Sequence, residues 1–324
     1  MNYIGLQTQI RRNTYRSVFM LVLFPCVILG LTWLGIFVSN LFLDYNEYAY
    51  QYDYQLGNQQ ITFLQVLPWV VAVCGIWFVI AYFSHSFIIN KATGAKTLER
   101  RENKRVYNLT ENLCIGIGMP MPIVNIIEDD SLNAFASGIN KRNYTVTLSR
   151  GIIDKLDDKE LEAVIAHELM HIRNHDVKVM MVAIVFVGIF SFLTQFMTRI
   201  LIHRPRVSSG RNGKGNGAGT ILIILLILVL AIIGYSITFL MKLAISRKRE
   251  YMADAGSAEM TKNPAGLASA LRKISADPLI EAIEQNDVAQ LFIENPIKKR
   301  ASFLNELFAT HPPIEKRIAF LEQV

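Results

Sequence analysis

Only three of the 324 residues are cysteine, and no two of them are spaced as CxxC. Cys26 and Cys74 sit in apolar runs and Cys114 in a more polar stretch, a pattern that argues against a disulfide framework, dithiol chemistry and a cysteine-based metal site. Histidine is scarce too: six residues are too few for the multi-histidine clusters of a metal oxygenase. No internal repeat is visible. No small-residue cleavage site follows the first apolar run, which is also too long for the apolar stretch of a cleavable signal peptide.

What is abundant is apolar side chain. Hydrophobic residues make up 52% of the chain and its mean hydropathy is +0.29, high for a soluble protein and modest for a pure transporter. A mixed design follows, part in lipid and part a charged globular unit. The net charge of +6 would attract nucleic acid or an anionic membrane surface. The placement of the charges decides for the membrane and against nucleic acid.

A helix needs roughly 20 apolar residues to cross a bilayer core. Four runs qualify: 17–39, 61–83, 177–202 and 220–245. Arg11, Arg12 and Arg16 precede the first. The tyrosine-rich stretch between the first two carries Asp44, Glu47 and Asp53 but no Lys or Arg. After the second come Lys91, Lys96, Arg100, Arg101, Lys104 and Arg105. Excess Lys and Arg mark the cytoplasmic side, so the N-terminus and the segment after Phe83 are expected there. The loop joining the second pair carries Arg204, Arg206, Arg211 and Lys214 in a Gly/Asn/Ser-rich tract, against that rule if both helices span. Length and hydrophobicity favour spanning over partial embedding.

The remainder reads as one interrupted α+β unit with a small sheet. Apolar spacing predicts a helix over 96–115. Short strands are expected near Ile123–Ile127, Ala134–Ser137 and 144–148, parted by the turn formers Asp129, Asp130, Gly138 and Asn140. Asp157 followed three residues later by Glu160 is a capping-box signature opening a helix to about Asn174. The chain after 246 reads mostly helical, including 263–274 and 313–322.

Inside the capped helix lies Ala166-His167-Glu168-Leu169-Met170-His171. At 3.6 residues per turn His167 and His171 share a face, and both imidazoles can reach one zinc ion at about 2.0–2.1 Å. Glu168 is placed to deprotonate the attacking water. A solvated helix with two histidines fits poorly, because Val164, Ile165, Ala166, Leu169 and Met170 are apolar. Burying two histidines and a glutamate without a metal or partners would be costly.

A catalytic zinc takes three protein ligands and leaves one position open. His175 would stand two turns from His167 on a straight helix, and Asp176 is too near in sequence to fold back. The stretch Ser246-Arg247-Lys248-Arg249-Glu250-Tyr251-Met252-Ala253-Asp254 offers two carboxylates one turn apart. Glu250 could bind the metal while Asp254 fixes the tautomer of a ligand imidazole. An ordinary (i, i+4) acidic pair on a solvated helix has the same spacing.

The HExxH helix, the apolar hairpin after it and the downstream SRxREYxAD segment together resemble the HtpX-like membrane metalloproteases, relatives of the CAAX prenyl proteases. The likeness extends to Asn133-Ala134-Phe135-Ala136-Ser137-Gly138, Leu148-Ser149-Arg150-Gly151, Asn263-Pro264 with Leu271-Arg272-Lys273, and His311-Pro312-Pro313 with Arg317-Ile318. It implies a mostly helical, gluzincin-type catalytic domain. One Zn2+ per chain would be bound by His167, His171 and Glu250, with Glu168 as the base. The strand at Asn133 would border the cleft, where an extended substrate could pair with it. His311 and Arg317 would lie near the zinc, as oxyanion stabilisers or, for Arg317, in a structural ion pair.

The expected architecture is an α+β membrane protein with about four transmembrane helices: a transmembrane pair over 1–90, the first catalytic part over 91–176, a second hairpin over 177–245 and the second catalytic part over 246–324. The expected function is hydrolysis of membrane or misfolded polypeptides in quality control, with membrane lipid as the other partner and the catalytic domain facing the cytoplasm. A catalytically silent scaffold or chaperone and a CAAX-type processing protease are the alternatives. An intact Glu168 argues against the first, and four spans are few to enclose the chamber the second needs.

Overall fold

The computed structural model describes residues 6–49, 62–181, 225–236, 248–276 and 312–323, with isolated positions at 190, 194–195 and 199. Two long apolar helices come first, α1 (Leu6–Ala49) and α2 (Phe63–Thr93). Within α2, Phe63–Phe87 is long and apolar enough to cross a membrane; its most apolar 18 residues have a mean hydropathy of 2.2 and none of them is buried. Leu64, Trp69 and Phe83 are 75%, 74% and 77% exposed, an apolar surface that calls for lipid or another apolar partner. Val22–Val38 and Leu225–Ser236 are shorter apolar helices. Of the four runs anticipated above, the third lies largely outside the described residues and the fourth is described only over 225–236, so one helix, not four, meets the length criterion among the described residues.

The chain divides into two compact units, 19–82 with 185–241, and 1–18 with 83–184 and 242–324. In the first, small residues let helices approach: Leu230 Cδ1 lies 2.9 Å from where a Cβ on Gly35 would stand, and the Phe190 ring 2.2 Å from one on Gly234. Phe190 also meets Phe24 edge-on at 5.7 Å.

The second unit is mostly helical with a small mixed sheet. Strands β1 (Lys96–Thr97), β2 (Ile123–Ile127), β3 (Ala134–Ser137) and β4 (Thr145–Ser149) are ordered β1-β2-β4-β3. β2 and β4 run parallel, and the other two pairs antiparallel. Val124, Val146 and Ala136 align across one face with Ile126, Leu148 and Ala134. Among the described residues β3 pairs with β4 alone and so forms a sheet edge. Its hairpin to β4 turns at Gly138, whose φ is +114°; a Cβ there would stand 2.4 Å from the Asn143 carbonyl oxygen.

The helix anticipated from residue 96 begins at α3 (Lys104–Ile117), because Lys96 and Thr97 pair with Ile126 and Asn125 instead. Asn103 caps it, its side chain accepting from Val106 N at 3.0 Å. Ser149 knits the end of β4 to its surroundings. Its hydroxyl donates to Ser131 O at 2.6 Å, accepts from Asn133 N at 3.0 Å and caps the short α4 (Arg150–Lys155) through Ile152 N at 3.3 Å. Arg105 gathers the other end of α4, donating to Ile153 O and Leu156 O, each at 2.7 Å, and to Asp158 Oδ1 at 2.5 Å.

Next comes the central helix α5 (Asp158–Arg173), opened by a complete capping box: Glu160 N donates to Asp157 Oδ1 at 2.9 Å and Asp157 N to Glu160 Oε2 at 3.0 Å. Two further helices, α6 (Lys248–Thr261) and α7 (Pro264–Ala276), pack against it, and α8 (Ile314–Leu321) packs on α7 and α6. Gly256 on α6 lies against Met170, whose Cε would be 2.3 Å from an added Cβ, and Ser257 donates to Ala163 O at 2.7 Å. That close approach brings the start of α6 opposite the face of α5 that carries the two histidines.

Candidate metal centre

Because α5 is wrapped by its neighbours, its HExxH stretch is buried: His167 is 0% and Glu168 2% exposed. His167 and His171 bring their Nε2 atoms to 3.2 Å, with the ring planes at 90°. Glu250, in the first turn of α6, faces both, with Oε1 3.5 Å from His171 Nε2 and Oε2 3.7 Å from His167 Nε2. One ligand atom from each of the three lies within 4.8 Å of the others. Donors about 2.0–2.1 Å from a tetrahedral zinc stand about 3.4 Å apart. Two imidazoles and a carboxylate at these spacings fit a zinc ion.

The opposite edge of each ring meets a carboxylate. Asp254 Oδ1 lies 3.0 Å from His167 Nδ1, and Asp176 Oδ2 3.2 Å from His171 Nδ1. An ionised carboxylate can only accept, so a proton on each Nδ1 satisfies it and, with a metal bound, would leave each Nε2 lone pair for the centre. Each carboxylate is in turn held by an arginine. Arg317 on α8 grips Asp254, and Arg249 Nε stands 3.4 Å from Asp176 Oδ1. Arg317 Nη2 also reaches 3.3 Å from His167 Nε2, and Nη1 lies 3.5 Å from Glu250 Oε2.

This arrangement sets the electrostatics. Burial pushes His167 down to about 4; Asp254 works against that, and the Arg317 charge adds to it. Burial pulls His171 down as well, but Glu250, Asp176 and Glu168 outweigh it and raise the group to about 9. Asp254, despite burial, is held below the usual carboxylate range by Arg317 and His167. Arg317 is raised, with Asp254 and Glu250 outweighing its burial. The carboxylates around His171 create a strong demand for one positive charge beside Glu250, which a divalent ion satisfies.

The structure thus brings together His167, Glu168, His171, Glu250, Asp254 and Arg317. The Arg317 fork is spent largely on Asp254. Asn133 stands at the entry to β3, its side-chain oxygen accepting from Ala134 N at 3.0 Å and its backbone nitrogen donating to Ser149. His311 lies outside the described residues.

Nearness in sequence argues against Asp176 as a third ligand; the side chain does turn back, but onto the Nδ1 edge of His171 rather than toward the ligand atoms. It can do so because α5 ends at its C-cap Asn174 and His175 turns left-handed, with φ +59°. Asn-His was the available signal, since both residues tolerate that conformation better than most.

Residues 100–324 match Peptidase family M48. A Bacteroides fragilis protein named Protease HtpX homolog is 58% identical over 326 residues, covering 100% of both chains. Proteins of the same name from Dictyoglomus thermophilum and Lactobacillus helveticus are 37% and 34% identical, over 90% and 98% of this chain and 91% and 100% of theirs. The crystal structure of S. mikatae Ste24p shares 20% identity at a TM-score of 0.44, covering 90% of this chain and 66% of that one.

Proposed function

The chain belongs to peptidase family M48 as a metalloprotease of the HtpX type, and from that premise we propose a zinc endopeptidase anchored in the membrane, cutting membrane or misfolded polypeptides in quality control. The observation that carries the zinc reading is the convergence of three groups: His167 Nε2 and His171 Nε2 lie 3.2 Å apart, and the Glu250 carboxylate sets Oε1 3.5 Å from the second and Oε2 3.7 Å from the first. Zinc bound there would act as a Lewis acid, polarising the scissile carbonyl and acidifying the attacking water.

The chain's own residues do the rest. Glu168, next to the first ligand and shielded from solvent, takes a proton from that water and returns it to the leaving amine. Asp254 and Arg317 hold His167 with its Nε2 facing the centre. The β3 edge, which among the described residues has β4 on one side only, offers backbone groups for an extended polypeptide entering beside α5. Asn133, at the head of that edge, orients the segment through the bond to Ala134.

Membrane anchoring rests on Phe63–Phe87 in α2, supported by the apolar part of α1. Lys91, Lys96, Arg100 and Arg101 follow that span, an excess of cations that supports a catalytic unit on the cytoplasmic face. Cleavage near the bilayer surface suits substrates that emerge from lipid.

The test compares zinc content and casein cleavage for detergent-purified wild type, Glu168→Gln and Glu250→Gln. Glu168→Gln is expected to keep its zinc and lose cleavage, and Glu250→Gln to lose both. If the wild type binds no zinc and cleaves nothing after metal is restored, the chain is a silent scaffold instead.

A further inference from the structure

His171 and its carboxylate are five residues apart in sequence, yet their side chains meet at 3.2 Å. On an uninterrupted α-helix a residue five positions on points about 140° away from the first. The chain avoids this by leaving the helix. Asn174 N still bonds back to Met170 O at 2.9 Å, His175 N bonds to Ile172 O at 3.1 Å, and His175 then adopts φ +59° before helical geometry resumes at Asp176. A left-handed conformation at a residue other than glycine is strained and persists only where the surrounding structure holds it. The result is that Asp176, 1% exposed, turns back beneath the His171 ring.

A second link closes from the other side. Arg249, 4% exposed, directly precedes Glu250, and its Nε lies 3.4 Å from Asp176 Oδ1. A guanidinium buried to this degree needs an anionic counterpart, and Asp176 supplies one. The same ion pair therefore orients His171 and tethers the helix turn that presents Glu250.

We propose that Asp176 and Arg249 form a positioning pair for the metal centre, delivered by the left-handed turn at His175, which fixes the tautomer and aim of His171 and locks the Glu250 turn against it. The inference rests on the zinc reading above. Asp176 is not a ligand: it acts through His171, and Arg249 acts through Asp176. The two sides of the centre are then built alike, each imidazole held by an aspartate and each aspartate by an arginine, one from α8 and one from α6.

The experiment titrates zinc into full-length protein stripped by a chelator, using a chromophoric competitor, and records the visible spectrum of the cobalt(II)-substituted form. The variants are Asp176→Ala, Asp176→Asn, Arg249→Gln, Arg249→Lys and the double variant Asp176→Ala/Arg249→Gln. Asp176→Ala is expected to weaken zinc binding about 10–100-fold and to shift the cobalt bands, as loss of a group supporting a ligand does. Asp176→Asn, which keeps a neutral acceptor, should recover part of the loss, and Arg249→Lys should exceed Arg249→Gln. Because Arg249 works through Asp176, the double variant should bind no more weakly than Asp176→Ala.

Wild-type affinity and an unchanged cobalt spectrum in Asp176→Ala would overturn the inference alone. So would full additivity in the double variant. A wild type that takes up no zinc would overturn the zinc reading and this inference with it. Should Asp176→Ala fail to fold, the turn supplies the test. His175→Gly accepts φ +59° without strain and should keep wild-type affinity, whereas His175→Val opposes that conformation and should lose affinity. Equal affinity in these two would overturn the role of the turn.

Discussion

Arg317 donates to Asp254 through two nitrogens, Nε at 2.9 Å and Nη2 at 2.7 Å, and both side chains are 0% exposed. The bond joins residues 63 positions apart and places α8 against α6, where Tyr251 and Phe320 also meet edge-on at 5.4 Å. Removing one member of a buried, hydrogen-bonded charge pair strands the other, which typically costs about 3–5 kcal/mol. Arg317→Ala is therefore expected to lower the Tm of the detergent-purified protein and to weaken zinc binding, because Asp254 no longer holds His167.

Arg317→Lys should recover little, since an ammonium cannot reproduce the two-nitrogen grip. Thermal unfolding with and without zinc checks both variants. If Arg317→Lys matches wild type, the fork geometry is unimportant and a point charge suffices.

Glu160 gives a pH-dependent prediction away from the candidate metal centre. Beyond its part in the capping box, its Oε1 accepts from Ser269 at 2.7 Å and its Oε2 pairs with Lys273 at 2.6 Å, linking α5 to α7. Burial raises this carboxyl, but Lys273, Ser269 and the Asp157 backbone outweigh it and hold the group below its ordinary value of 4.5. A carboxyl depressed in the folded state adds stability above its unfolded pKa, and that stability is lost as pH falls through the folded one. Lys273 is 44% exposed in its side chain, so solvent screens part of the pair. Glu160→Gln is expected to cost about 1–2 kcal/mol at neutral pH, from the weakened bonds to a buried charged acceptor. The gap should close as pH falls below 4.5. Tm curves for both proteins from neutral pH down to acid check it; a gap that stays constant with pH would remove the charge from the account.

Much of this fold was legible because local signals and packing agree. Asp157 and Glu160 marked the start of α5 to within a residue, and β2 and β3 fall where apolar β-branched and small residues lie between turn formers. The errors came where tertiary pairing outvotes local pattern. Lys96 and Thr97 lie just before a strong helical period and were read into it, yet they are held by β2, and two residues show no periodicity of their own. The contact of Asp176 with His171 is hidden for a related reason: nearness in sequence argues against a residue folding back, and one left-handed residue lets it. The spacing of the candidate ligands His167 and His171 is legible in sequence, whereas the approach of α6 depends on Gly256 and Ser257, residues whose meaning appears only against Met170 and Ala163.

The scarcity of cysteine turns the native thiols into topology probes. Cys26 lies in the apolar helix Val22–Val38 and Cys74 within Phe63–Phe87, while Cys114 is buried in the catalytic unit with its thiol pushed up to about 11 by burial. The thiolate is the form that reacts with a maleimide, so Cys114 should be sluggish whichever side of the membrane it faces. If the two apolar helices lie in lipid, a charged, membrane-impermeant maleimide should label none of the three in intact membranes. All three should react once the protein is denatured in SDS, and mass spectrometry of the peptides assigns each site. Rapid labelling of Cys74 in intact membranes would place the middle of α2 in water. The 74% exposed Trp69 and its neighbours would then need a protein partner rather than lipid to cover them.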